Sequence, residues 1–284
     1  MIEFANAVGR YPFLQYALFT GVLASIACGV VGTYVVARRI TYIGGGIAHS
    51  VLGGMGAAYY LSVVHGWRDL HPKYGAVVVA LLSAVIIGWV SLKARQREDT
   101  VIGSIWAVGM AIGIIFISRT PGYNEDLMSY LFGNILMVSP GDLWLIGGLD
   151  LAILAIVYLF YNQFQAVCFD EEFARVRGIN VEFYYLLLLG LTALTVVILV
   201  TVVGIVMVIA LLTIPAAVAG YFTRTIKQTM LAASIASILF TTVGLAVSYR
   251  PDLPAGATTI VLAGATYLAV IVISGLRKTA RASD

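Results

Sequence analysis

The sequence predicts an all-α fold, a polytopic membrane bundle of about nine transmembrane helices forming one domain over residues 1–284. Three observations carry that prediction. Hydrophobic residues make up 61% of the 284 positions and charged residues only 11%, against roughly 25% charged in a soluble domain. The mean hydropathy is +0.97. The apolar residues fall in separate runs, each near the roughly 20 residues that a helix needs to cross a bilayer core of about 30 Å.

Such runs lie at 13–37, 43–64, 74–92, 100–118, 143–163, 183–203, 204–222, 228–249 and 257–276. The apolar stretch from Phe183 to Phe222 is too long for one helix, and Gly204 and Pro215 are the places where it can break or kink. If 204–222 is partly re-entrant, the count falls to eight. Leu127–Val138 is apolar but, at about 12 residues, short for a span, and fits a re-entrant or interfacial helix on the outer side. It ends at Ser139-Pro140-Gly141-Asp142, a turn that also supplies a helix cap.

Loop charges give an orientation. Arg38/Arg39, Lys93/Arg95/Arg97, Arg175/Arg177, Arg224/Lys227 and Arg277/Lys278/Arg281 fall on one side. In the intervening loops Arg68, Lys73, Arg119 and Arg250 stand among Asp69, Glu125, Asp126 and Asp252. The positive-inside rule then places the N-terminus outside and the C-terminus in the cytoplasm. The net charge of +3 is too small to argue for nucleic acid. The two cysteines, Cys28 within a span and Cys168 in a polar loop, do not make a disulfide framework.

The cytoplasmic segment 164–182 is long for a connector. Asp170 can cap a short helix with Glu171 and Glu172 in its first turn, Ala174 inside it, Arg175 toward its end and Gly178 as its stop. It is either a solvated connector or a docking element for a cytosolic partner. No stretch reads as a soluble domain, and no lysine follows the glycines at 44–46 and 53–56 as a phosphate-binding loop requires. ATP, if it powers this protein, is hydrolysed by another chain, and the chain itself is no enzyme.

The chemistry centres on one residue. His49 is the only histidine within an apolar span, and an ionisable side chain at membrane depth is a functional-site hypothesis by default. Gly45, Gly46, Gly53 and Gly56 share its helix face. So bare a face permits close helix approach or leaves an aqueous lane beside the imidazole. One histidine makes no metal site alone; two copies across a two-fold axis would supply two ligands. Asp150 is the second intramembrane charge: a second ligand, a partner for His49, or, as the favoured reading, a solvated carboxylate near the outer interface. Pro215 frees a carbonyl in mid-span, which is tolerated where it lines a cavity. The outer loop holds His65, Asp69 and His71, a weaker cation-binding candidate. Arg250–Gly256, stiffened by Pro251 and Pro254, reads as an outer hairpin.

These residues carry a resemblance. The run RRITYIGGGIAHSVLGG at Arg38–Gly54 resembles the second-span signature of permease subunits of bacterial ATP-binding-cassette importers for zinc, manganese and iron. Asp99–Gly103, Leu131–Leu136, Phe169–Ala174 with Gly178, Val203-Gly204 through Ile214–Ala217, and Leu253–Ala257 match in the same order along nearly the whole chain. The resemblance implies a bundle of the vitamin B12 importer type, in a homodimeric or paired permease. It implies no permanently bound cofactor, a transported divalent metal (zinc slightly ahead of manganese, then iron) and alternating access in the bacterial inner membrane. Its partners would be two cytosolic ATPase subunits and an extracytoplasmic metal-binding protein. His49 matches the pathway histidine, Gly45, Gly46, Gly53 and Pro215 would line the pathway, and 169–178 matches the helix that couples to the ATPases. One position departs: the family's aspartate, four residues before the histidine, is Gly45 here. A reading of another class is a proton-coupled secondary transporter that uses His49 and Asp150 as a relay.

Overall fold

Prolines, capping residues and one glycine decide where the apolar runs become separate helices. The computed structural model of the chain describes residues 2–67, 69–93, 98–121, 133, 138–251 and 253–282. Within them the helices are α1 (Ile2–Arg10), α2 (Pro12–Ala37), α3 (Thr41–Val64), α4 (Pro72–Lys93), α5 (Glu98–Arg119) and α6 (Pro140–Leu159). There follow α7 (Tyr161–Phe169), α8 (Glu171–Val176), α9 (Val181–Val203), α10 (Ile205–Gly220), α11 (Ile226–Tyr249) and α12 (Ala255–Ala282). The described residues contain no strand. Apart from Gly133 and Val138, the expected helix at 127–138 lies outside the described residues.

All nine expected apolar segments are helical. Eight of them, α2 to α6, α9, α11 and α12, are long and apolar enough to cross a membrane. The ninth, α10, has 16 residues, about 24 Å at 1.5 Å per residue. That is short of a bilayer core.

Pro12, Pro72 and Pro140 open their helices, where the missing N–H costs nothing. At 139–142 the expected cap forms: the Asp142 N–H donates to Ser139 Oγ at 3.3 Å and the Ser139 N–H donates to Asp142 Oδ2 at 3.2 Å. This cap starts α6 at 140 rather than 143, and the helix ends at Leu159, so Asp150 lies at its midpoint. Gly204, at φ 81° and ψ 164°, occupies backbone space open essentially to glycine alone and divides α9 from α10. Gly133 presses against this elbow, since a Cβ there would collide with the backbone of Val203 and Gly204. Helix α10 instead runs unbroken through Pro215. Of the two expected breakpoints, only the glycine ends a helix; the buried proline forfeits one hydrogen bond within it.

Helix α2 is the hub and packs on α11, α10, α6 and α9. Its Gly29 and Gly32 bring the backbones of Ser234 and Leu212 close enough to exclude a methyl group, and Ser25 Oγ meets Thr241 Oγ1 at 3.3 Å. Helix α3 lies between α4 and α5, and α4 continues the layer to α9.

Candidate functional site

Local sequence sets the face of α3. Residues 43–56 are buried, and most of the glycines in that stretch meet another backbone or side chain. A Cβ on Gly53 would stand 2.7 Å from the Gly109 carbonyl oxygen of α5, and one on Gly56 2.8 Å from that of Gly113. Gly54 abuts Gly75 of α4, and Gly46 would meet Ile102 at 2.7 Å. Small residues let helices approach closely where no hydrophobic force draws them together. Of the two readings of this face, close approach holds at Gly46, Gly53 and Gly56: Gly53 and Gly56 meet glycines of α5, and Gly46 meets Ile102.

His49 sits within the α3–α5 seam at 9% exposure. Its ring stacks on Trp106 of α5, with centroids 4.2 Å apart and planes inclined by 10°. Nδ1 is buried without a hydrogen-bond partner, while the next residue is fully engaged: Ser50 Oγ donates to the Ile47 carbonyl at 2.8 Å and meets Ser83 Oγ of α4 at 2.9 Å. An orphaned buried nitrogen is costly and leaves a lone pair or a proton free for a guest.

Beside this stack lies a cavity of about 460 Å³, lined by Tyr42, Gly45, Trp106, Ile209, Thr213 and Tyr267 among others. Gly45 is the one expected pathway glycine that reaches it; a Cβ there would find Trp106 and Ile209 at ordinary contact distance, 3.7 Å. Pro215 is buried in α10, and its neighbours Ile214 and Ala217 line the cavity.

Asp150 corrects an expectation. It is 3% exposed rather than solvated at the interface, and neither carboxyl oxygen has a hydrogen-bond partner. Ile146, Asp150, Ile153 and Val157 form the buried face of α6, which packs on α2 beside Cys28. Helix α3 packs mainly on α5 and α4, so the two ionisable residues belong to different seams. At the outer loop, the His71 Nδ1 accepts the Lys73 N–H at 3.3 Å. Among the described residues no three His, Cys, Asp or Glu side chains gather as a metal group, which removes the His65, Asp69 and His71 cluster.

The short helix at 170–178 forms as its residues dictate. The Asp170 carboxylate accepts the Phe173 N–H at 2.9 Å, Ala174 is fully buried, and Gly178 at φ 75° ends the turn. Phe173 and Val176 face outward, 49% and 87% exposed, among the exposed charges Glu172, Arg175 and Arg177. Arg38, at the end of α2, reaches across to donate to the Val167 carbonyl and to Glu171. Its guanidinium lies 4.2 Å from the Tyr185 ring centroid. In this crowded corner burial pushes the Cys168 thiol up to about 12.

The whole arrangement has relatives. Residues 10–274 match the ABC 3 transport family. The chain belongs to that family. It is 41% identical over 256 residues to a probable metal transport system membrane protein of Chlamydia trachomatis, covering 90% of this chain and 87% of the relative. It is 34% identical over 265 residues to the manganese transport system membrane protein MntC of Halalkalibacterium halodurans, covering 93% and 88%. Among solved structures it resembles PsaBC from Streptococcus pneumoniae in complex with a Fab: 32% identity, a TM-score of 0.83 and 95% of each chain.

In this ABC 3 chain the sequence marks His49 and the cap at Asp170 but not their partners. Trp106 is missed because an aromatic residue in an apolar span is unremarkable until the fold brings α5 against α3. The Arg38–Glu171 pair joins residues 133 positions apart; their opposite charges were visible and their proximity was not.

Proposed function

We propose that this chain is the membrane-spanning permease subunit of an ATP-driven importer of a divalent transition metal. One observation carries the reading: a buried imidazole with an unpartnered nitrogen beside a cavity, at the histidine of the family signature. Manganese is the favoured cargo, since a relative covering nearly the whole chain is named for it. This reverses the sequence-based order, which put zinc first and had no relative's name behind it. Imidazole is a common ligand for zinc and its transition-metal neighbours, and for manganese it would act beside oxygen ligands such as water or carbonyls.

A single imidazole holds a divalent ion weakly, so a second copy of the chain facing the first completes the site with its own His49. Metal arrives from an extracytoplasmic binding protein at the outer side and leaves toward the cytoplasm by alternating access. The exposed Phe173 and Val176, set among charges, are the surface on which a cytosolic ATPase docks, with Glu172 and Arg175 at its rim. Asp170, Ala174 and Gly178 shape that helix, and Glu171 ties it through Arg38 to the α2–α3 elbow. Hydrolysis belongs to the ATPase and not to this chain. The cations at Arg38, Lys93, Arg175 and Arg224 support an N-terminus outside and a C-terminus inside the bacterial cytoplasmic membrane, an orientation in which α10 with its flanking residues makes the ninth crossing. The proton-relay alternative draws no support from a carboxyl and an imidazole held in separate seams.

The test is manganese accumulation by cells that depend on this permease. His49→Ala should lower uptake to the level of cells lacking the chain while the permease still reaches the membrane. Undiminished accumulation in that variant refutes the reading.

A further inference from the structure

We infer that Trp106 is the gate between His49 and the 460 Å³ cavity, and that its indole sets which cations reach the imidazole. The inference rests on His49 being the residue that meets the cargo. Trp106 belongs to both places at once: it lines the cavity and lies flat against the imidazole at 4.2 Å. His49 itself does not line the cavity and is 9% exposed, so with the indole in place the ring face toward α5 is closed to solvent. What remains for a ligand is the imidazole edge, where Nδ1 has no partner.

The contacts of the indole suit a movable part. Its Nε1–H donates to the Met110 sulfur at 3.2 Å, and a thioether is a weak acceptor that releases a donor cheaply. Trp106 is 37% exposed, so one side is free, and the adjoining cavity offers room for the displaced ring. Gly45 and Ile209 line the same cavity, and a Cβ on Gly45 would stand 3.7 Å from both Ile209 and the indole. A β-branched side chain at 45 would reach beyond the 3.7 Å Cβ contact and push the indole off its seat.

Chemistry follows from the position. A cation on the imidazole edge makes that ring electron-poor, and stacking on the indole then gains a cation–π component. The same lid excludes water, so a cation must shed hydration to enter. Magnesium dehydrates reluctantly and is disfavoured, whereas manganese pays less.

The experiment uses the full-length chain reconstituted in vesicles holding a manganese-sensitive dye, with Trp106→Ala, Trp106→Phe and Gly45→Val alongside the unmodified protein. Trp106→Ala and Gly45→Val should raise passive Mn²⁺ flux about tenfold and admit Mg²⁺. Trp106→Phe, which keeps a stacking ring, should stay near the parent rate. Equal fluxes in all four proteins overturn the gate. Should the alanine variant fail to insert, a chain with Trp67, Trp89 and Trp144 changed to Phe leaves Trp106 as the sole tryptophan. Mn²⁺ held on the imidazole edge should quench its fluorescence, and an absence of quenching in a chain whose uptake still depends on His49 also overturns the gate. The two readings fail separately. Normal uptake in His49→Ala sinks the proposed function, whereas lost uptake there with a tight, fully active Trp106→Ala sinks only the gate.

Discussion

His49 and Asp150 are both ionisable, both inside membrane-length helices and both nearly sealed from solvent, at 9% and 3% exposure. They differ in what lies next to them. His49 has an aromatic lid with a cavity behind it; Asp150 is enclosed between α6 and α2. Burial thus marks a costly group without saying why it is kept; on the proposed function, access is what separates the two. Asp150 is an unpaired carboxyl packed where α6 meets α2, a costly burial. On that reading it behaves as a packed polar residue.

That contrast can be broken most directly by substitution at its two ends. His49→Ala should reduce manganese uptake by about 100-fold or more, whereas Asp150→Asn, which keeps the shape of the side chain, should leave uptake within about twofold. Both are read by radiometal accumulation at matched membrane levels. Lost uptake in Asp150→Asn would erase the distinction and return Asp150 to the pathway.

A smaller effect separates the corner that holds α8 from the seam that holds His49. Arg38→Gln should lower uptake by about tenfold, the scale of a charge-assisted hydrogen bond, without altering Mn²⁺ quenching of Trp106. Pairing Arg38→Glu with Glu171→Arg should recover part of the loss. If quenching falls with uptake, the corner acts on the site itself rather than on its coupling.

The seam is sharpened by comparing glycines. Gly53→Ala forces a methyl group to within 2.7 Å of the Gly109 carbonyl, and overpacking of this kind costs about 1–3 kcal/mol. Gly148, on α6, has nothing within 4 Å, and Gly148→Ala should be silent in the same thermal-stability assay. Equal melting temperatures would mean that the α3–α5 approach is looser than described.

The smallest effect concerns reactivity. Burial raises the Cys168 thiol to about 12, so it is neutral at pH 7 and its thiolate grows only as the pH climbs toward that value. Alkylation should therefore keep rising about tenfold per pH unit from 7 to 10, where an ordinary cysteine levels off near pH 8.5. A plateau there would show the corner open to water.

Much of this fold could be read before any coordinates, because its punctuation is local. Pro140 with the Ser139 cap, Gly204 at its left-handed elbow and Asp170 at the head of α8 each act within a few residues, and each appears where the sequence puts it. The failures are facing errors. A helix start displaced by three residues moved Asp150 from the interface to mid-helix. The glycines of α3 could equally border water or another backbone, and only the matching glycines of α5 decide between these. Pro215 can break a helix or sit within one, and packing around α10 allowed the second. Trp106 and the Arg38–Glu171 pair depend on contacts between distant segments that no local pattern reveals.

The central claim is that the cargo meets the imidazole of His49. Pulsed electron paramagnetic resonance on the Mn²⁺-loaded permease measures that contact directly, through the modulation that a coordinated imidazole nitrogen imposes on the electron spin echo. Nitrogen modulation in the unmodified protein that disappears in His49→Ala is the expected result. A spectrum showing only oxygen ligation, or nitrogen modulation that survives the substitution, would contradict it.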